Sequence, residues 1–233
     1  MRSVLVIGMC TAAVLLATAM PADALPPTLG NIAGYSTAFG SSVPTTTQVG
    51  ATFVVPSVVC TGSTAGVLFG TSVWDHGGND VGAAVRVTCG SGSSAPSYSA
   101  VGFYYSTQTL KSTVTPVMQL VAGQVIRATS IAGSIKSTAV IHNVTTGASK
   151  TVTFGPTGAG SSLVGAFCTH HWNVAGPCAR SPKFNTVTFT NVLVDGAALS
   201  SFAPTATKMA GTSYVVTPSG LGPAGKAFVD KYL

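Results

Sequence analysis

Short runs rich in Val, Thr, Phe, Tyr and Ile, separated by Gly, Pro, Ser and Asn, recur along almost the whole chain. An extended strand puts alternate side chains on opposite faces, so runs of this kind bury one face and turn the other outward. The clearest are Gln48 to Val55, Gly82 to Cys89, Tyr98 to Tyr105, Gln124 to Ile131, Ala139 to Val144, Ser162 to His171 and Thr186 to Val192. No stretch before the C-terminal end has a helical period with caps. Many short strands must pack their apolar faces on one another, which predicts an all-β sandwich. From Pro218 onward, Pro and Gly lead into a short amphipathic end, Ala224 to Leu233, and 218–233 reads as a loosely attached tail.

The first residues fit an export signal. Arg2 supplies a positive start, Val4 to Ala19 an apolar run, and Ala22-Asp23-Ala24 a small-x-small cleavage site. The run is short for a membrane span, and no later stretch is long and apolar enough to be one. The expected organisation is a signal peptide at 1–24, one sandwich domain at 25–217 and the tail, in a protein secreted or held in the cell envelope. Cys10 leaves with the signal, and Cys60, Cys89, Cys168 and Cys178 remain. An even number in an exported chain reads as two disulfides. Cys60 with Cys89 and Cys168 with Cys178 is the simplest pairing by closeness, and sequence alone leaves three. No C-x-x-C spacing supports zinc.

The chain contains no glutamate, and Asp75, Asp80, Asp195 and Asp230 are its only carboxyl side chains beyond the signal. Acid–base chemistry with paired carboxylates needs two in one cleft, and so few acids leave little means of building a pair. The net charge of +6 reflects missing acids more than gathered bases. Lys and Arg are scattered singly, with no run to track a phosphate backbone, so no nucleic-acid partner is expected.

Several motifs occur together in one order. Asn31-Ile32-Ala33-Gly34-Tyr35 and Val49-Gly50-Ala51-Thr52-Phe53-Val54-Val55-Pro56 resemble the N-W-x-G-Y and G-T-F-x-V-P of the eqolisin (glutamic peptidase) family. Trp74-Asp75-His76-Gly77-Gly78-Asn79 stands where that family has G-I-D-G and a Gly-Asn turn. Tyr98 to Tyr105 parallels Y-x-A-W-[WY]-E-x-Y, and Ala122 to Ile126 parallels P-G-D-x-I. Phe184 to Asn191 is similar to F-G-T-V-T-F-T-N, and Gly211-Thr212-Ser213-Tyr214 resembles the last strand. The resemblance spans about Asn31 to Thr217. It implies a bent sandwich of two antiparallel sheets, of the concanavalin A-like type.

The resemblance also implies a catalytic glutamine and glutamate on neighbouring strands of the concave sheet, the glutamate as general base and the glutamine as oxyanion donor. Counted from Asp75, the glutamine position is Ala84, within Ala83-Ala84-Val85-Arg86. The glutamate position is Phe167, within Ala166-Phe167-Cys168-Thr169, and a third carboxylate of the family is replaced by Phe103. Neither Ala84 nor Phe167 has an acid within two residues. Losing a general base and an oxyanion donor removes about a hundredfold or more each. Proteolysis of the family type is therefore expected to be negligible.

Strand parity indicates what replaces the dyad. Ala84, Arg86 and Thr88 share the cleft face, as do Val101, Phe103 and Tyr105, and as do Phe167, Thr169 and His171. The expected contact residues are Arg86, Phe103, Tyr105, Phe167 and His171, on a cleft suited to an extended peptide or another extracellular polymer. No cofactor or metal is expected. Adjacent His170 and His171 diverge on a strand and cannot chelate one ion together. Asp75 to Asp80 has too few carboxylates for a calcium loop and reads as a hairpin whose Asx side chains cap their own backbone. His171 with Asp75 lacks the surroundings of a serine nucleophile. Trp74, Phe103, Tyr104, Tyr105 and Trp172 suggest a sugar-stacking platform, although aromatics in sandwiches are more often core. Asn143-Val144-Thr145 is a glycosylation sequon. A divergent hydrolase and a cell-envelope structural protein are the competing expectations.

Overall fold

The computed structural model describes residues 31–37, 45–60, 65–90, 95–168, 181–211 and 213–233. Strands are numbered here in chain order. A seven-stranded antiparallel sheet runs, from edge to edge, Thr205–Thr207 (β15), Ile32–Ser36 (β1), Gly160–Cys168 (β11), Ala65–Asp75 (β4), Asp80–Cys89 (β5), Ser97–Ser106 (β6) and Lys111–Leu120 (β7). A nine-stranded antiparallel sheet runs Ser149–Phe154 (β10), Ser137–Asn143 (β9), Val125–Ile131 (β8), Gln48–Val54 (β2), Thr186–Val194 (β13), Phe228–Tyr232 (β18), Val215–Pro218 (β17) and Met209–Ala210 (β16), with Ala197–Ala198 (β14) added to β13. Val58–Val59 (β3) pairs with Lys183–Phe184 (β12). Helical structure among the described residues amounts to two 3-10 turns.

The architecture is the bent two-sheet sandwich the sequence implies. Inward positions alternate as the strand period requires. Val81, Ala83, Val85, Val87 and Cys89 of β5 meet Phe53, Ile126, Ala128, Ile141 and Phe189 of the other sheet in one core. The Ser130 hydroxyl links the sheets within that core. It accepts from the Ala83 N–H at 3.0 Å and donates to the Thr71 carbonyl at 2.9 Å. Cys60 and Cys89 form a disulfide with a Cα–Cα distance of 5.6 Å, tying the segment after β3 to the end of β5. Cys168 is disulfide-bonded as well. Its expected partner Cys178 lies outside the described residues, as does the signal segment at 1–24.

The C-terminal segment corrects the sequence reading. Residues 218–233 are not a loose tail, because β18 is an interior strand, paired with β13 on one side and β17 on the other. Phe228 stacks on Phe189 at 5.0 Å and meets Tyr35 edge-on at 4.9 Å. The amphipathic pattern of this segment is that of a strand, with Phe228 and Asp230 inward and Lys231 outward.

Candidate functional site

The seven-stranded sheet has one face in the sandwich core and a second face turned away from it. Cross-strand register sorts that second face into rows. One row is Ile32, Phe167, Leu68, Arg86 and Ser99, and the next is Gly34, Gly165, Gly70, Ala84 and Val101. Then come Ser36, Leu163, Ser72, Gly82 and Phe103, and finally Ser161, Trp74, Asp80 and Tyr105.

The glycine row is a crease. A Cβ at Gly34, Gly70 or Gly165 would overlap the carbonyl oxygen of Val164, Ala83 or Ala33 respectively, and Gly34 and Gly165 hold φ of 131° and 150°. Only glycine combines that backbone angle with so close an approach of neighbouring strands. Beside the crease, backbone N–H groups are satisfied from the opposite sheet: Ala83 by Ser130, and Ala166 by the Asp230 carboxylate at 3.1 Å.

Ala84 and Phe167 therefore share a face, as parity predicts. Their strands are separated by β4 rather than adjacent. Both belong to a second apolar cluster with Ile32, Leu68, Val101, Phe103 and Leu163, every member 0–4% exposed. This corrects the contact set expected from sequence. Phe103 and Phe167 are fully buried and form a floor, not a contact surface. Arg86 and Tyr105 are half-buried, and Trp74 is 39% exposed at the rim. Among the described residues the Arg86 guanidinium has no hydrogen-bond or ion-pair partner. His171, with Thr169, His170 and Trp172, lies outside the described residues. Tyr104 faces the sandwich interior, stacked on Phe154 at 5.7 Å, so the run of aromatics is split between faces and core.

Two acids near these strands are buried in ways the sequence does not signal. Asp80 is buried on the cleft face, four residues along β5 from Ala84, or ~13 Å of strand. That span is too long for it to stand in at the glutamine position. Asp230 lies directly behind Phe167's neighbour Ala166 but points into the sandwich. Burial pushes its carboxyl up to about 8, against the hydrogen bond from Ala166, which lowers it. Nothing local in the sequence signals this contact, because 64 residues separate the partners.

The Asp75 loop has the Asx character expected. Asp75 accepts the Asn79 N–H at 2.8 Å and the Gly158 N–H at 2.8 Å, and the Asn79 side chain receives the Thr107 N–H at 3.1 Å. Asn143 of the sequon is 1% exposed and accepts from Thr146, which leaves no room for a glycan in the folded chain.

No protein-family model and no curated protein matches the chain. Solved structures do. A scytalido-glutamic peptidase with a transition-state-analogue inhibitor superposes with a TM-score of 0.60 and 20% identity, covering 88% of this chain and 98% of that one. A second structure of that peptidase, with a peptide-based transition-state analogue, gives 0.56 and 18% over the same coverage. SCP-B, an eqolisin-family peptidase in complex with the tripeptide Ala-Ile-His, gives 0.53 and 16%, again covering 88% and 98%. The likeness is one of fold, and it covers nearly all of each chain.

Proposed function

We propose that this chain is an exported, glutamic-peptidase-like sandwich that has lost proteolysis and holds an extended peptide against the outer face of its seven-stranded sheet. The observation that carries the reading is the buried apolar cluster that holds Ala84 and Phe167, the two positions the sequence resemblance gives for the dyad. Water activation needs a base and an oxyanion donor in contact with solvent and substrate, and a methyl group and a phenyl ring supply neither. The eqolisin SCP-B holds a tripeptide, which supports a peptide as the ligand class here. Arg86, whose guanidinium has no partner among the described residues, offers a fork to a peptide carboxylate. The proposed contact set is Arg86, Tyr105, Trp74 at the rim and His171, above the buried floor of Phe103 and Phe167. Export is supported by the signal-like start and the Cys60–Cys89 disulfide. Among the described residues no helix is long and apolar enough to cross a membrane.

The test is hydrolysis of an unfolded protein substrate from acid to neutral pH, beside capture of a peptide library by the folded chain. The expected result is no turnover, with capture weakened about tenfold or more by Arg86→Ala at an unchanged melting temperature. Turnover abolished by Asp75 or His171 substitution would instead establish a divergent hydrolase. Absence of any ligand-dependent stabilisation would leave a structural role.

A further inference from the structure

The outer face of the nine-stranded sheet carries a second feature, independent of the peptide reading. A surface cavity of about 310 Å³ is lined by Arg127, Thr129, Val140, His142 and Ser149. Register explains why these residues meet. Arg127 of β8 lies directly opposite His142 of β9, which lies opposite Ser149 of β10, while Thr129 faces Val140 in the next row. On the other side of Thr129 stands Gly50 of β2, and the Thr129 side chain packs over the space that a Cβ there would take.

Two basic side chains directly opposite each other on adjacent strands do not favour folding by themselves. Among the described residues no acid offsets them. Asp75 is engaged by Asn79 and Gly158, Asp195 by Thr47 and Gln48, Asp230 is sealed in the sandwich, and Asp80 lies in the other sheet. Among the described residues neither the Arg127 guanidinium nor the His142 imidazole has a hydrogen-bond or ion-pair partner. Hydroxyls of Thr129 and Ser149 flank the pair, and Val140 supplies a small apolar wall.

We propose that Arg127 and His142 form an oxyanion-binding site. The guanidinium fork takes two oxygens of one group, the imidazole a third contact, and the hydroxyls adjacent polar atoms. The oxyanion is either free in solution or the carboxylate of an acidic saccharide, whose ring hydroxyls suit Thr129 and Ser149.

The test is a titration of the folded chain, read by NMR shifts of the β8 and β9 amides, with inorganic phosphate, with oligogalacturonate and with neutral maltohexaose. Saturable shifts with phosphate and oligogalacturonate, absent with maltohexaose, are expected. Tighter binding of oligogalacturonate assigns the saccharide source, and binding of phosphate alone assigns a free anion. Arg127→Ala should weaken binding about tenfold to a hundredfold, Arg127→Lys should restore it only in part, and His142→Ala should weaken it at an unchanged melting temperature. Lys150→Ala, at an exposed position one residue from Ser149, should leave it intact. The proposal is overturned if neither anion binds, if Arg127→Ala binds as the parent does, or if Lys150→Ala loses as much as Arg127→Ala.

Discussion

Phe103 and Gly82 are opposite one another on β6 and β5, and a Cβ at Gly82 would overlap the ring atoms Cζ, Cε1 and Cε2 of Phe103. The far end of the ring therefore occupies the space a side chain at Gly82 would take, within the buried cluster of Leu68, Val101, Leu163 and Phe167. Truncating it by Phe103→Ala removes a fully buried aromatic and leaves a cavity, which costs about 3–5 kcal/mol. In a domain of this size that lowers the melting temperature by roughly 6–20 °C. Gly82→Ala alone forces the added methyl against the ring and costs about 1–3 kcal/mol. In the Phe103→Ala background the methyl enters vacated space, and its cost should fall to near zero. A double-mutant cycle measured by urea unfolding with circular dichroism should thus show a coupling of about 1–3 kcal/mol. Additive effects would refute the packing described for this face. So would a Phe103→Ala melting curve matching the parent, the outcome expected of an open cleft wall.

Asp230 makes stability depend on pH. Its folded carboxyl titrates near 8 against an ordinary 3.8, so between those values the folded state holds a proton that the unfolded state has released. Its contribution is full below about pH 4 and is lost as pH rises toward 8, at up to ~1.4 kcal/mol per pH unit. Asp230→Asn keeps an oxygen for the Ala166 N–H and cannot ionise, so its stability relative to the parent should climb from pH 5 to pH 8 in parallel denaturation series. Placing a glutamine and a glutamate at the positions the sequence resemblance gives for the dyad, Ala84→Gln with Phe167→Glu, should not produce proteolysis at acid pH. The new carboxyl would be buried beside Ile32 and Leu68, and the pair should lose several kcal/mol of stability, on the order of 3 or more; a stable, active double variant would show that this face is open.

Fold class is legible because alternation is a local signal, and it places Ala84 and Val85 on the correct opposite faces. Strands that break the local rules are harder. Ala65–Asp75 carries Gly66 and Gly70, which read as turn signals although Gly70 belongs to the crease. Lys111–Leu120 contains Pro116, tolerated because β7 is an edge strand with a register shift at that point. Parity also assigns a face without saying how deep it lies. It puts Phe103 on the right side of the sheet and at the wrong depth, since burial there depends on Gly82 of the next strand and on Ile32, Leu68, Leu163 and Phe167 from β1, β4 and β11. Asp230 is invisible for the same reason, its partner being remote in sequence.

The path of the chain between the sheets has a consequence for how the molecule comes apart. β1 enters one sheet and β2 the other, β4 to β7 return to the first, β8 to β10 go to the second, β11 returns, β13 leaves and β15 returns again. Neither layer is made of one continuous stretch, and no cut in the backbone separates them. Unfolding should therefore be a single cooperative event, in which loss of either layer exposes the hydrophobic face of the other. The two surfaces proposed as binding sites, one on each layer, accordingly stand or fall together as the protein melts.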